Sequence, residues 1–169
     1  MLTILVDSRE QAPYHFDRYP NVTVHRVALE TGDYSLPGLE HVVCVERKSV
    51  DDLIQCLCRE RSRFERELAR MRSYVVKAVV CECTLEDIAW GRYKSQMNPE
   101  SALQSVFAFA VRYGVDFVWA GNRRGGEYAT HAILHRYQRE LEKQMDAIRK
   151  HSLRCAKEQP VTGVCNVVI

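Results

Sequence analysis

GDYSLPGLEHVVCVERKSVDD, residues 32–52, is the stretch on which the rest of the chain turns. Its second half, HVVCVERK at 41–48, is a β-branched apolar run of the kind that forms a strand, yet it closes on Glu46, Arg47 and Lys48. Side chains alternate across a strand, so Cys44, Glu46 and Lys48 share one face while Val43, Val45 and Arg47 share the other. Asp33 stands beside Gly32 at the start, and Pro37 with Gly38 supplies the turn that lets the two limbs pair as a hairpin. That pairing brings Asp33 to Glu46 and Lys48, with twelve residues between Asp33 and Glu46 and one between Glu46 and Lys48.

Hard divalent cations take oxygen ligands. Carboxylates at a strand end, completed by a backbone carbonyl and waters, suit Mg²⁺ or Mn²⁺. Such an ion lowers the pKa of a bound water and shields charge developing on a phosphoryl oxygen, and the Lys48 ammonium can orient that water or stabilise the same charge. These are the parts that hydrolysis of a phosphodiester needs. By itself a Glu-x-Lys strand end also fits a solvated face or a cross-strand ion pair, and an Asp beside Gly fits a plain turn, so the pattern alone leaves both open.

The rest of the chain frames this cluster. At 169 residues with 46% hydrophobic content it is the size of about one globular domain. The net charge of +2 conceals a gradient: residues 1–46 carry three basic and seven acidic side chains, residues 47–77 nine and five, and residues 123–157 nine and four. Carboxylates in a cationic surround are the expected arrangement. No secretory signal opens the chain and no apolar run nears the length of a membrane helix, which predicts a soluble, intracellular protein whose seven cysteines are free thiols. The pairs Cys56/Cys58 and Cys81/Cys83 have the wrong spacing for a zinc knuckle.

Strands are predicted at 2–7, 22–29, 41–48, 77–82 and 115–120. Helices are predicted at 50–58, 59–72, 84–90, 99–113 and 126–150, the fourth with Leu103, Val106, Phe107, Ala110 and Val111 on its packed face. The last carries a narrow apolar stripe, Leu134, Tyr137, Leu141, Met145 and Ile148, which suits packing on its own domain or on a partner. Strands interspersed with helices give an α/β fold around a mixed sheet. The expected organisation is a domain over 1–150 and a tail over 151–169, whose end, 159–169, is either flexible or docked.

Four separated pieces, VDSRE at 6–10, GD at 32–33, VERKSVDDL at 45–53 and RSRFERELARM at 61–71, resemble the XPF-type structure-specific endonuclease family, whose nuclease motif reads GDx(n)ERKx(3)D. The resemblance implies a restriction-endonuclease-like core and metal-dependent cleavage of DNA, in the setting of DNA repair and recombination. It implies Asp33 and Glu46 as ligands of Mg²⁺ or Mn²⁺, with Asp7 extending the acidic cluster as part of the metal site and the Arg47 carbonyl as a third donor, and Lys48 as the group that positions or activates the water. It also implies Arg9 and Arg47 as phosphate contacts, with Glu10 and Asp52 in support. Asp52 equally suits the first turn of the helix that begins near Val50.

The helix at 61–71 is crowded with arginines, among them Arg61 and Arg63. Arg63 has Glu67 four residues on as an ion-pair partner, so these side chains divide between a salt-bridged surface and phosphate tracking. GNRRGGEY at 121–128, with Arg123 and Arg124, reads as a flexible basic loop that either contacts DNA or is solvated. No helicase motif and no tandem helix-hairpin-helix pattern is present, which suggests a minimal nuclease, a fragment, or a subunit that borrows DNA contacts from others; the resemblance implies pairing of nuclease domains, so a homodimer or a partner nuclease subunit is expected, with no membrane and no nucleotide cofactor. Branched or structured DNA is the expected substrate; the alternatives are a catalytically silent DNA-binding scaffold subunit, or a nuclease of linear DNA ends or RNA.

Overall fold

A computed structural model describes residues 1–158. The elements run β1 Leu2–Asp7, β2 Val22–Val27, β3 Tyr34–Ser35, β4 Val43–Lys48, α1 Val50–Leu57, α2 Arg61–Met71, β5 Val76–Cys81, α3 Leu85–Ala89, α4 Pro99–Tyr113, β6 Asp116–Trp119 and α5 Arg123–Glu158. The expected tail end, 159–169, lies outside the described residues. The chain divides into two compact units, Met1–His135 and Arg136–Ile169, and the sheet and α1–α4 all belong to the first.

Among the described residues the strands form one six-stranded sheet in the order β2-β1-β3-β4-β5-β6. β3 runs antiparallel to both β1 and β4, and every other pair is parallel. The β4–β5 and β5–β6 parallel pairs follow from the sequence pattern, since these strands are separated by helical segments long enough to cross back over the sheet. β3 is the hairpin limb predicted from the Pro37 and Gly38 turn, and Gly38 takes the left-handed φ of +75° that such a turn requires.

Capping sets the helix bounds. Ser49 caps α1, Thr84 and Asp87 form a capping box on α3, and Asn98 with Pro99 at the first position starts α4. Gly114, at φ +61°, ends α4 in the left-handed conformation.

One core lies between the sheet and α1, α2 and α4. It gathers Leu53, Ile54 and Leu57 of α1, Phe64, Leu68 and Met71 of α2, and Ala102, Val106 and Phe109 of α4, over Cys44, Val79 and Cys81 of the sheet. Phe64 and Phe109 meet edge to face at 5.9 Å. A second buried group, Tyr14, Phe16 and Tyr34, holds the segment after β1, with Tyr14 stacked on Tyr34 at 5.2 Å.

Three expectations need correction. The packed face of α4 is Ala102, Val106 and Phe109, whereas Phe107 and Val111 are exposed, because Phe109 and not Phe107 points at Phe64. The segment 121–128 is no flexible loop: α5 already begins at Arg123. Its paired glycines permit close approach, since a Cβ on Gly125 would lie 1.9 Å from the Ala120 carbonyl oxygen and one on Gly126 2.2 Å from the Tyr14 hydroxyl. Of the cysteines, Cys44, Cys56, Cys81 and Cys83 are buried free thiols, but Cys58 is exposed.

Candidate active site

The site is assembled where β3 begins and its antiparallel neighbour β4 ends. Gly32 sits at φ +80°, and a Cβ there would lie 2.4 Å from the Cys44 sulfur and 3.2 Å from the Val45 carbonyl oxygen. Only glycine passes this close beneath β4, and its turn delivers Asp33 to the space between β1 and β4. The Asp33 N–H donates to the Val45 carbonyl at 2.9 Å, and the Asp33 carbonyl accepts from the Asp7 N–H at 2.8 Å. Its side-chain Oδ2 accepts from the Arg47 N–H at 2.7 Å.

Glu46 and Lys48 project together from one face of β4, as the alternation requires. Both are buried, and the Lys48 ammonium is hydrogen-bonded to Glu46 Oε1 with its Nζ 5.5 Å from the centre of the Phe64 ring. Burial pushes the Asp33 carboxyl up to about 7, against the Arg47 N–H and the Lys48 charge. Burial, then the charge of Asp33, raises Glu46 well above the usual carboxylate range. Burial disfavours the charged form of Lys48, but Glu46 and Glu67 outweigh it and hold the amine protonated.

Asp33, Glu46 and Lys48 line an open cleft with Asp7, Arg9, Glu10, Asp52, Cys56, Arg63, Arg66, Glu67 and Arg70. Asp7 is buried at the end of β1 and clasped by Arg9, which donates through Nη2 at 2.5 Å and through its own N–H at 2.8 Å. Burial pushes Asp7 up, but the hydrogen bonds from Arg9 prevail and hold it below the usual range. The Arg9 side chain remains 70% exposed. Glu10 accepts from the Ala12 N–H and faces Arg47. Asp52 lies in the first turn of α1, its N–H donating to Ser49 and its carboxylate accepting from the Ser49 hydroxyl at 2.7 Å.

Not all the expected residues meet in the cleft through their charged ends. Arg47 points to the opposite face of β4, where its guanidinium pairs with Glu82 at 3.0 Å and Glu10 at 3.5 Å. Arg123 joins the same knot from α5, pairing with Glu82 at 3.4 Å, donating to the carbonyls of Ala12 and Pro13, and covering the Tyr14 ring. Arg61 faces α4, donating to Ser105 at 3.0 Å and stacking on Phe109. Arg124 is exposed at the start of α5. Arg63 is exposed beside the cleft and pairs with Glu60 in place of the expected Glu67.

Two carboxylates escaped the sequence reading. Glu82, directly after β5, ties Arg47 to Arg123, and its signal was a charge closing the apolar run at 76–81. Glu67, on α2, lines the same cleft as Asp33 and Glu46 and was obscured by the arginine four residues before it.

The residues present fit a hard cation. The charge of Asp33 acts on the buried Glu46 carboxylate, the Lys48 ammonium is bonded to Glu46, and excess negative charge in such a place is what a divalent ion relieves. Among the described residues no three metal-ligating side chains converge to enclose an ion.

Comparison with known proteins follows the same lines. The ERCC4 domain matches residues 6–125. XPF from Aeropyrum pernix is similar in fold at a TM-score of 0.62 and 20% identity, the match covering 95% of this chain and 75% of that one. A second structure, XPF from Aeropyrum pernix in complex with DNA, matches at a TM-score of 0.60 and 19% identity over 83% of this chain and 66% of that one. No curated protein sequence matches the chain.

Proposed function

Because the chain belongs to the ERCC4 domain family, the XPF-type nuclease domains, we propose that it is a divalent-metal-dependent endonuclease hydrolysing phosphodiester bonds in branched or structured DNA. The observation that carries this reading is the junction of Asp33, Glu46 and a protonated Lys48 in one open cleft, bordered by Arg9, Arg63, Arg66 and Arg70. The DNA complex of a protein of similar fold supports DNA as the partner.

Asp33 and Glu46 hold Mg²⁺ or Mn²⁺, with the Arg47 carbonyl as a further donor. The ion, when bound, supplies an acidified water and neutralises charge on the phosphoryl oxygens. Lys48, kept protonated by its carboxylate neighbours, is a hydrogen-bond donor and not a base, so it orients the attacking water and stabilises developing charge. Asp7 holds Arg9 by a charge-assisted fork, which presents the exposed guanidinium to a phosphate. Arg63 and Arg66 extend the phosphate track along α2. Glu10, Arg47, Glu82 and Arg123 buttress the back of β4, and Asp52 secures the start of α1 behind Lys48.

The exposed side chains Met145 and Ile148 on the polar second half of α5 offer a surface for pairing two copies of the chain. A panel of labelled linear duplex, single strand, splayed fork, flap and four-way junction, incubated with Mg²⁺, with Mn²⁺ and with chelator, tests the substrate assignment. Metal-dependent cutting confined to the branched substrates is expected. Equal cutting of linear duplex, or of an RNA control, overturns that assignment.

A further inference from the structure

Glu67 is the carboxylate of the cleft whose position the hydrogen-bond network leaves unexplained. It is half-buried on α2, and among the described residues it enters no hydrogen bond or ion pair, although arginines stand four residues before it, one before it and three after it. Two of those arginines are engaged elsewhere: Arg63 is paired with Glu60, and Arg70 donates to the Thr31 hydroxyl at 3.2 Å. A half-buried carboxylate that stays unpaired beside a basic helix face keeps its acceptor oxygens and its charge available to the cleft. Glu67 lines the cleft with Asp33, Glu46 and Lys48. Its charge acts on all three, and on Arg9 at the cleft's edge.

We infer that Glu67 is a positioning residue of the cation site, a third carboxylate that faces the Asp33–Glu46 pair from α2 and holds the divalent ion through its water shell. This rests on the proposed role of Asp33 and Glu46 as metal ligands. No third side chain converges with those two at ligating range, so the place left for Glu67 is the second layer, where a carboxylate accepts hydrogen bonds from coordinated waters. Its place on a helix anchored by the buried Phe64, Leu68 and Met71 keeps it at a set distance from the strand-borne pair. Its negative charge also gives Lys48 a second partner when Glu46 is occupied by a cation.

The test is calorimetric titration of the whole chain with Mn²⁺ alone, without DNA, for wild type, Asp33→Asn, Glu67→Gln and Glu67→Asp, with thermal unfolding of each. Glu67→Gln keeps the shape and removes the charge. It is expected to weaken Mn²⁺ binding by roughly 10- to 100-fold with an unchanged unfolding temperature, while Glu67→Asp retains part of the affinity. Asp33→Asn is expected to abolish binding. Wild-type affinity in Glu67→Gln, beside a loss in Asp33→Asn, overturns the role of Glu67 and leaves the metal site standing. Absence of binding in wild type overturns both. Equal losses in the two Glu67 variants with a lowered unfolding temperature assign Glu67 to structure alone and overturn the inference.

Discussion

Asp33 carries the clearest electrostatic signature in the site. Its carboxyl, ordinarily near 3.8, is pushed up to about 7 by burial, and Glu46 beside it is raised by the same cause. The ion-free folded protein therefore binds protons that the unfolded chain has released. Its stability falls as pH rises between about 4 and 7, since raised carboxyl pKa values favour the folded state only in acid. A cation must displace those protons. Mn²⁺ affinity is accordingly expected to rise with pH through about 7, by about tenfold per pH unit for each carboxyl proton displaced, and a calorimetric series over about pH 5.5 to 8.5 would detect a flat response. Strand alternation alone placed Glu46 and Lys48 together, and the turn at Pro37 and Gly38 predicted that Asp33 would join them. Glu67 and Glu82 were illegible for a physical reason: each has a plausible local explanation, an arginine at helical spacing or a solvated strand end, and only the packing of distant elements shows that Glu67 faces the cleft and Glu82 joins two arginines.

The turn into β3 and the two helices beside it offer tests at the scale of the element. Gly32→Ala adds a strained φ and a clash with the Cys44 sulfur, and is expected to destabilise by about 2–5 kcal/mol in urea unfolding. Gly38→Ala has a similar φ but open space, so its expected cost is only about 1–2 kcal/mol. Equal effects would remove the close approach as the reason for glycine beside Asp33. On α4, Phe109→Ala is expected to cost about 3–5 kcal/mol, whereas Phe107→Ser on the exposed face should change stability by under about 1 kcal/mol. The bounds of α4 were legible because Asn98, Pro99 and Gly114 are local signals. Its buried face was not: both phenylalanines fit a helical stripe, and contact with Phe64 decides between them. The start of α5 was misread because paired glycines signal a loop in sequence, while here they admit the Ala120 carbonyl and the Tyr14 hydroxyl.

Across the molecule a net charge of +2 says little about DNA, but the placement of cations says more. Arg9, Arg63, Arg66 and Arg70 are exposed along the cleft, although Arg9, Arg63 and Arg70 each have a protein partner, while Arg47, Arg61 and Arg123 turn their guanidinium groups to Glu82, Ser105 and Glu82 respectively. Replacing Arg9, Arg63 and Arg66 by Gln is expected to lower the slope of log affinity against log salt by about 2–3 in fork binding, and replacing Arg112 on α4 to leave it unchanged. If homodimer formation runs through α5, Met145→Glu with Ile148→Glu shifts sedimentation from dimer to monomer without loss of fold. The family and the mixed sheet were legible because both are written in local motifs and hydrophobic periodicity. The division of arginines between phosphate and protein was not, because every one of them reads as a solvated cation until its neighbours are known. The central claim is that Asp33, Glu46 and Lys48 form one metal-dependent catalytic centre. Its most direct measurement is the Mg²⁺-dependent cleavage rate of a labelled fork by wild type, Asp33→Asn and Lys48→Ala, each shown to be folded by circular dichroism. The account predicts cutting by wild type and losses of at least about 100-fold in both variants; cutting at the wild-type rate by either folded variant would contradict it.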